Sequence, residues 1–319
     1  MKSCWNIRAR TIRLVFPAFI ALVLLGACGK TPHVPPEKAG RITHAAATET
    51  SGLAASHRAD DLLWIHNDSG GQPVIYAIGT DGHLRGTVRV AGVKNVDWED
   101  IASFELDGQS WILIADTGDN NGSRKNYTLY VIAEPDPAAL ALDHEISAKV
   151  AWKLPVVYPD GSHDCEAVAV DAHDETVFLL TKRTQPPALY SLPLRLPANG
   201  QMPVAELVGT PTGIPQPSAS QKLFPTPTGR YRAQPTAMDI ASDRRSAAVL
   251  TYGDVLFFAR RPGERWSDAF SRAPEILAPH GLPQAEALCF SRDGHSLYVT
   301  GELKTPLLLR YKLPAQASQ

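Results

Sequence analysis

The sequence predicts an all-β protein that folds as a β-propeller of five blades, with six blades as the alternative. Three observations favour this fold: short apolar runs alternate with Gly, Pro, Asp and Asn, the runs recur in one repeating order, and no segment shows a long run with the 3.6-residue period of a helix. The composition, 44% hydrophobic and 20% charged over 319 residues, is that of a globular protein. The net charge of −2 shows no excess of the basic residues that a nucleic-acid-binding surface needs, so no nucleic-acid partner is expected.

Residues 1–27 are predicted to be a lipoprotein signal peptide. Four basic residues are followed by an apolar run over 14–25, which is short for a membrane span of about 20 residues. The run ends in Leu25-Gly26-Ala27-Cys28, which has the form of a bacterial lipobox, so Cys28 is the predicted lipidation site. The alternative is an ordinary signal peptide cut after Ala27. Because Gly29 and not Asp follows Cys28, we expect a lipid anchor in the outer membrane, with the domain facing the periplasm or the exterior.

The rest of the chain divides into three parts. Residues 28–47 contain the lipidated Cys28, a Pro-rich tether and a closing strand, 48–313 form the propeller, and 314–319 are a tail. The last blade lacks a fourth strand, and residues 41–48 are expected to supply it. Pairing N- and C-terminal segments in this way would close the ring and remove exposed sheet edges.

Five predicted strands begin with a small polar or acidic residue, at spacings of 48, 67, 70 and 50 residues. In a propeller the first strand of each blade lines the central channel, so these residues are expected to form a ring around it. They are Ser51, Glu99, Glu166, Thr236 and Glu286.

A second apolar strand follows each of these residues and ends 16 or 17 residues later on a polar side chain. These polar ends are expected to form a second ring near one face: Asp68, Asp116, Lys182, Tyr252 and Glu302. A third strand carries an aromatic residue near its middle: Tyr76, Tyr130, Tyr190, Phe257 and Tyr311. The Pro- and Ser-rich stretch 210–232 is interpreted as a long loop, and a sixth, degenerate blade would have to lie there.

Three glutamates in one narrow channel cannot all stay ionised without compensation, because like charges raise one another's pKa. A hard cation is the simplest compensation, and calcium accepts 6–8 oxygen ligands in irregular geometry. The predicted ligands are Glu99, Glu166, Glu286, Asp68 and Asp116. In the alternative interpretation these acids only accept hydrogen bonds from backbone N–H groups or shape turns.

Further candidate site residues follow from the same two rings and the turns beside them. The catalytic candidates are Glu302, His66 and Lys182, and the binding candidates are Ser51, Thr236, Tyr252, Asp119 and Asn120. Asp119 and Asn120 also suit a plain turn, and His66 suits a hydrogen-bonded wall position. Cys165 and Cys289 are expected to be buried, inert thiols that do not pair.

Six motifs resemble a family of secreted bacterial β-propeller proteins. They are Ser51-Gly-Leu-Ala, His66-Asn-Asp-Ser-Gly70, Asp97-Trp-Glu-Asp-Ile-Ala102, Asp116-x-Gly-Asp-Asn120, Asp164-x-Glu-Ala167 and Glu286-Ala. The Ser-Gly-Leu-Ala opening is more distantly similar to phytase-like and gluconolactonase-like propellers, which implies a channel that holds calcium beside the substrate. Cys165 and the Pro235-Thr-Ala string depart from the family pattern.

Two function classes are compatible with these features. The first is an envelope lipoprotein, bound to the membrane through its lipid, whose propeller binds or scaffolds a small ligand or an envelope protein through loops such as 210–232. This class is favoured because a propeller fold by itself says little about chemistry. The alternative is a calcium-dependent hydrolase of phosphoesters or lactones with its site at the channel.

Overall fold

The computed structural model of the protein describes residues 35–197 and 200–313. The predicted signal peptide, the predicted lipidation site Cys28 and most of the predicted tether lie outside these residues, as does the tail 314–319, so the lipid anchor stays a prediction. Among the described residues, no helix combines the length and the apolar character needed to cross a membrane.

The described chain begins with strand β1 (Glu37–Arg41) and continues through five antiparallel units, which we number I to V. Unit I contains β2 (Thr50–Ala55), β3 (Leu62–Asn67), β4 (Val74–Gly79) and β5 (Leu84–Ala91), and unit II contains β6 (Trp98–Leu106), β7 (Gln109–Asp116), β8 (Tyr127–Ala133) and β9 (Glu145–Val156). Unit III contains β10 (Cys165–Asp171), β11 (Thr176–Thr181), β12 (Leu189–Pro193) and β13 (Glu206–Gly209). Unit IV contains β14 (Pro235–Ile240), β15 (Ser246–Thr251), β16 (Val255–Ala259) and β17 (Glu275–Ile276), and unit V contains β18 (Ala285–Phe290), β19 (Ser296–Gly301) and β20 (Leu307–Lys312). The helical segments that the structure describes are α1 (Trp266–Phe270) and two 3-10 turns, Pro137–Ala139 and Gln221–Leu223.

The first strands of the five units form a closed ring. Strand β2 contacts β6, β6 contacts β10, β10 contacts β14, β14 contacts β18, and β18 contacts β2 again. Within each unit, consecutive strands are hydrogen-bonded neighbours, and a parallel pairing of β5 with β9 also joins the sheets of units I and II. This arrangement of antiparallel sheets around a channel confirms the predicted all-β propeller.

The core consists of five apolar clusters, one between each pair of neighbouring units. The two-residue period of a strand explains this pattern, because alternate side chains point to opposite faces of the sheet. In β10, for example, Val168 and Val170 pack against unit II, and Ala167 and Ala169 pack against unit IV. Both faces of the inner strands are therefore buried, which accounts for their continuous apolar runs.

The N-terminal strand closes unit V, but at other residues than expected. Strand β1 pairs antiparallel with β20, with Glu37 opposite Arg310 and Arg41 opposite Leu307. The strand thus covers Glu37–Arg41, within the predicted 28–47 segment, and the prediction of 41–48 was wrong beyond Arg41. The chain leaves the sheet edge after Arg41 because Ile42 turns into the apolar cluster between units V and I.

The stretch 210–232 contains no strand in the described structure. It connects β13 to β14 and contains only the 3-10 turn Gln221–Leu223. Elsewhere, the polar residues predicted to end the second strands lie at or directly after the ends of β3, β7, β11, β15 and β19. The predicted aromatic residues likewise fall in the third strands β4, β8, β12, β16 and β20.

Candidate functional site

Each inner strand carries a β-bulge at the residue that the sequence repeat singles out. The strand pairing shifts register between the two residues that flank this position: Thr50/Gly52, Trp98/Asp100, Cys165/Ala167, Pro235/Ala237 and Ala285/Ala287. A bulge leaves one residue outside the ladder and re-aims its side chain. The five bulged residues are those of the predicted first ring, and each is at most 4% exposed: Ser51, Glu99, Glu166, Thr236 and Glu286.

The two hydroxyl members of this ring bind neighbouring strands. Ser51 Oγ donates to Glu99 O at 2.8 Å, and Thr236 Oγ1 donates to Ala285 O at 2.9 Å. Ser51 Oγ also lies 3.3 Å from Glu99 Oε2. Both hydroxyls therefore join adjacent units of the ring, and Ser51 in addition orients the Glu99 carboxylate.

Five carboxylates converge at the end of the channel where the inner strands begin. They form two groups that share Glu99. Carboxylate oxygens of Asp68, Asp97 and Glu99 lie within 4.8 Å of one another, as do those of Glu99, Asp164 and Glu166. We call these two groups the acidic cluster. The structure thus brings together three of the predicted ligands, Asp68, Glu99 and Glu166.

Sequence reasoning missed Asp97 and Asp164 as candidate ligands. Each stands two residues before a bulged glutamate, in the repeated pattern Asp-x-Glu of Asp97-Trp-Glu99 and Asp164-Cys-Glu166. That shared spacing was a usable signal, because both copies occur where an inner strand begins and a bulge places the glutamate at the channel.

The other two predicted ligands lie outside the acidic cluster because each has another partner. Asp116 Oδ1 pairs with Arg124 Nη2 at 2.6 Å. Glu286 Oε1 accepts a hydrogen bond from Tyr252 OH at 2.8 Å and another from Gln284 Nε2 at 3.2 Å. Both residues still face the same mouth of the channel, but within the part of the chain that the structure describes neither joins a group of carboxylates spaced for one cation.

Lys182 is a buried cation beside the acidic cluster. Its ammonium forms an ion pair with Glu166 and lies 4.9 Å from the centre of the Tyr252 ring. Burial opposes the charge of Lys182, but the carboxylates of Glu166 and Glu286 outweigh burial and raise the pKa of the ammonium well above its usual value. Lys182 therefore stays charged at neutral pH.

Three carboxyl groups of the acidic cluster, those of Glu99, Glu166 and Asp68, hold protons more tightly than ordinary acids. Burial raises the pKa of Glu99 well above its usual value, and the neighbouring Glu166 and Asp68 raise it further. Burial raises the pKa of Glu166 to about 8 although Lys182 opposes the shift. Burial, with the charge of Asp97, raises the pKa of Asp68 to about 6. A cation among these oxygens would lower these pKa values, and the ionised carboxylates would then bind the cation.

The remaining predicted site residues have defined places. Burial and the charge of Glu286 raise the pKa of Glu302 to about 8, and its carboxylate accepts a hydrogen bond from Gln284. The carboxylate of Asp119 accepts hydrogen bonds from Ser123 N, Arg124 N and Tyr127 OH, and these bonds stabilise the turn that follows β7.

His66 lies between units I and II, and Asn120 lies at the exposed rim of the channel mouth. Asn120 is exposed and contacts Arg183. His66 is fully buried, and burial lowers its pKa to about 4, so the ring is neutral at physiological pH. Its Nε2 occupies space left by Gly52, since a Cβ there would lie 2.3 Å away, and the ring packs against Trp98 between units I and II.

Two of the cavities lined by described residues lie on opposite faces of the ring of inner strands. The larger, about 450 Å³, is lined by the C-terminal ends of the inner strands, whereas the bulges lie near their N-terminal ends. The other, about 330 Å³, borders Lys182.

Inside the ring of inner strands, the buried carboxylate of Asp100 accepts hydrogen bonds from Val168 N at 2.8 Å and Met238 N at 3.3 Å, so it joins unit II to units III and IV.

The predicted free thiols are also found. Cys165 and Cys289 are both buried, and neither forms a disulfide within the described residues. Burial raises the pKa of Cys165 to about 12 and that of Cys289 well above its usual value, so neither is a thiolate at neutral pH. Both are the inert thiols that the sequence predicts.

No family model and no curated protein matches this chain. Among solved structures it is similar to a gluconolactonase from Xanthomonas campestris, at 13% identity over 90% of this chain and 100% of that one, with a TM-score of 0.46. It is also similar to a putative 6-phosphogluconolactonase from Bacteroides uniformis, at 15% identity over 84% and 69% of the two chains (TM-score 0.38). A nidogen–laminin complex matches at 13% identity over 82% and 74% (TM-score 0.42). At this identity the likeness concerns the fold and carries no argument about activity.

Proposed function

We propose that the acidic cluster binds a divalent cation, calcium by its donor set, and that the protein is a cation-dependent hydrolase of phosphoesters or lactones. The observation that carries this proposal is the convergence of five carboxylates in two groups that share Glu99, with their oxygens within 4.8 Å. All these donors are oxygens, which suits calcium, whereas zinc sites favour His and Cys.

The charge balance of the cluster supports a cation. Asp164 pairs with Arg183 Nε at 2.6 Å, and Glu166 pairs with Lys182. Asp68, Asp97 and Glu99 form no ion pair within residues 35–197 and 200–313. Three buried or half-buried carboxylates thus share one small volume without a protein cation of their own, and a bound metal would supply the missing positive charge.

The backbone around the cluster is shaped to leave room for it. A Cβ at Gly118 would lie 2.0 Å from Glu99 Oε1 and 2.6 Å from Asp97 Oδ2. The Gly118 N–H also donates to Asp97 O at 3.2 Å, which holds this segment against the start of β6. Any larger residue at this position would displace the carboxylates, so the glycine keeps both acids at the channel mouth.

The residues around the cluster suit hydrolysis. A divalent cation bound there would polarise a carbonyl or phosphoryl oxygen of the substrate. With a pKa of about 8, Glu302 holds a proton at neutral pH and can exchange it with a reacting oxygen. Lys182 contacts Glu166 and would hold its carboxylate in place as an ion pair once a bound cation keeps Glu166 ionised. In this proposal Glu302 and Lys182 have the catalytic roles for which the sequence makes them candidates.

Substitution of the shared carboxylate tests the cation site. We expect Glu99→Gln to weaken calcium binding at least about tenfold, because it removes one charged ligand from both groups of the cluster. Calorimetric titration of calcium into the EDTA-treated protein measures this. The matched control is Glu134→Gln. Glu134 is as buried as Glu99 but lies outside the acidic cluster, where its carboxylate accepts hydrogen bonds from Ser56 and Trp64. Equal calcium affinity in Glu99→Gln and the wild type would refute the cation site.

Hydrolysis is tested separately from cation binding. A phosphate monoester and a lactone are offered to the wild type in millimolar calcium and in EDTA, and product release is measured. Turnover that requires calcium and is lost in Glu99→Gln supports the hydrolase. Calcium binding without turnover of either substrate class would instead favour a binding module with a structural cation.

The exposed turn in the 210–232 loop favours a binding function as the second candidate. Leu223 and Phe224 are 75% and 61% exposed side by side, which is unusual for large apolar residues. Phe224→Ser is expected to abolish capture of an envelope protein partner with folding intact, measured by pulldown and melting temperature. Leu142→Ser is the matched control, since Leu142 is 72% exposed elsewhere. Equal capture by the two variants would contradict this function.

A further inference from the structure

The cavity of about 330 Å³ beside Lys182 differs in charge from the rest of the channel mouth. It lies between the turn after β11 and the loop that leads into β14. Its charged lining residues are Lys182 and Arg230, and no carboxylate is among the described residues that line it. Among the described residues, the channel mouth, which is crowded with acids, thus borders a cavity whose charged lining residues are positive.

Arg230 is oriented but not neutralised. Its Nε donates to Lys222 O at 3.1 Å, which holds the guanidinium in the loop. Other arginines of this face are paired: Arg183 with Asp164 and Arg232 with Asp254. No ion pair of Arg230 is found in the part of the chain that the structure describes, so its two terminal nitrogens keep their donors available.

Further donors line the same cavity. Gln185 and Gln234 are lining residues, and in residues 35–197 and 200–313 their side-chain amides make no hydrogen bond. Lys182 connects the cavity to the acidic cluster, because its ammonium pairs with Glu166 of the second group. A group bound in the cavity would therefore lie next to the carboxylates that we propose to hold the cation.

We infer that this cavity binds a phosphate group of the substrate, so that the hydrolase acts on phosphorylated molecules. The fork of the Arg230 guanidinium, which no described carboxylate neutralises, can bind two oxygens of a phosphate, and the amides of Gln185 and Gln234 can donate to the remaining one. Lys182 is paired with Glu166 but adds positive charge at the wall of the cavity. The inference rests on the proposed function for its catalytic meaning, but phosphate binding itself does not require hydrolysis.

Phosphate and cation binding are expected to support each other. Without a cation, the carboxylates of the acidic cluster repel an anion placed beside Lys182, and a bound cation removes that repulsion. Coupling between two sites is reciprocal, so calcium should tighten phosphate binding by the same factor by which phosphate tightens calcium binding. A merely exposed arginine on the loop would show no such coupling.

The test is a titration of methyl phosphate into the full protein, in EDTA and in calcium, followed by calorimetry. Arg230→Gln is expected to weaken methyl phosphate binding at least about tenfold in both conditions, because a bidentate charged contact is lost. Calcium affinity in the absence of methyl phosphate should stay unchanged. The matched control is Arg245→Gln, since Arg245, in the turn between β14 and β15, is exposed like Arg230 but lies outside the lining of this cavity.

The outcomes separate this inference from the proposed function. Equal methyl phosphate binding by Arg230→Gln and the wild type, or none by the wild type, overturns the phosphate site even if calcium still binds. Acetate that binds as tightly as methyl phosphate overturns the preference for phosphate. If Glu99→Gln loses calcium but retains methyl phosphate binding in EDTA that depends on Arg230, the phosphate site stands on its own.

Discussion

The melting temperature of the protein in EDTA is expected to fall by several degrees as the pH rises from 5 to 8, and millimolar calcium should suppress much of this fall. The reason is the set of acids whose pKa values burial raises: Asp68 to about 6, Glu166 and Glu302 to about 8, and Asp239 to about 7. In the unfolded chain such acids titrate near pH 4.

The sign of this effect follows from proton linkage. Between about pH 4 and pH 8 the folded state binds more protons than the unfolded state, so the free energy of unfolding falls as the pH rises through this window. The contribution of these protonated acids to the free energy of unfolding is fully present below their unfolded pKa values. It is lost as each acid ionises in the folded state. Calcium binds the ionised carboxylates, and its stabilisation therefore grows with pH.

Calcium at 100 times its Kd should stabilise the fold by about 2.7 kcal/mol. For a domain of this size that corresponds to a rise of several degrees in melting temperature. Differential scanning calorimetry at pH 5, 6, 7 and 8 measures both effects, and Glu99→Gln serves as the control that should lose the calcium response. A melting temperature that stays constant or rises with pH in EDTA would contradict the raised pKa values, and no response to calcium at pH 8 would contradict the cation site.

The architecture was predictable because a propeller repeats its physical constraints. Every inner strand needs a residue at the bulge that faces the channel, and this need left five polar residues at similar positions in otherwise apolar runs. Both faces of each inner strand meet an apolar cluster, so most of the other residues in these strands are apolar, and exceptions such as Asp100 and Asp239 use their carboxylates to accept backbone hydrogen bonds. The pattern therefore identified Glu99 and Glu166 without any knowledge of the pairing.

The composition of the acidic cluster was harder to predict because partners decide which acids remain available. Asp116 and Asp68 occupy the same position at the end of a second strand, but Asp116 pairs with Arg124, which lies in the following turn. Glu286 is a bulged glutamate like Glu166, but Tyr252 of the neighbouring unit binds it. Such contacts join residues more than thirty positions apart or depend on the path of a turn, and spacing alone does not reveal them.

The carboxylate of Asp100 is expected to be the single most important polar group for the stability of the ring. It accepts backbone hydrogen bonds from Ile101 at 2.9 Å, from Val168 in unit III and from Met238 in unit IV. It therefore joins three of the five inner strands from within the channel. Burial raises the pKa of Asp100 well above its usual value, while the three N–H donors oppose this shift.

Asp100→Ala should lower the free energy of unfolding by roughly 3 kcal/mol or more, because each buried N–H left without an acceptor costs about 1–3 kcal/mol. Asp239→Ala is the matched comparison, since within the described residues the carboxylate of Asp239 accepts hydrogen bonds from two N–H groups, those of Ile240 and Phe290, and joins units IV and V. Urea unfolding at pH 7 should therefore rank the wild type above Asp239→Ala and Asp239→Ala above Asp100→Ala. A loss below about 1 kcal/mol for Asp100→Ala would mean that water entering the channel satisfies the freed donors, and the ring would then be held by its five apolar clusters alone.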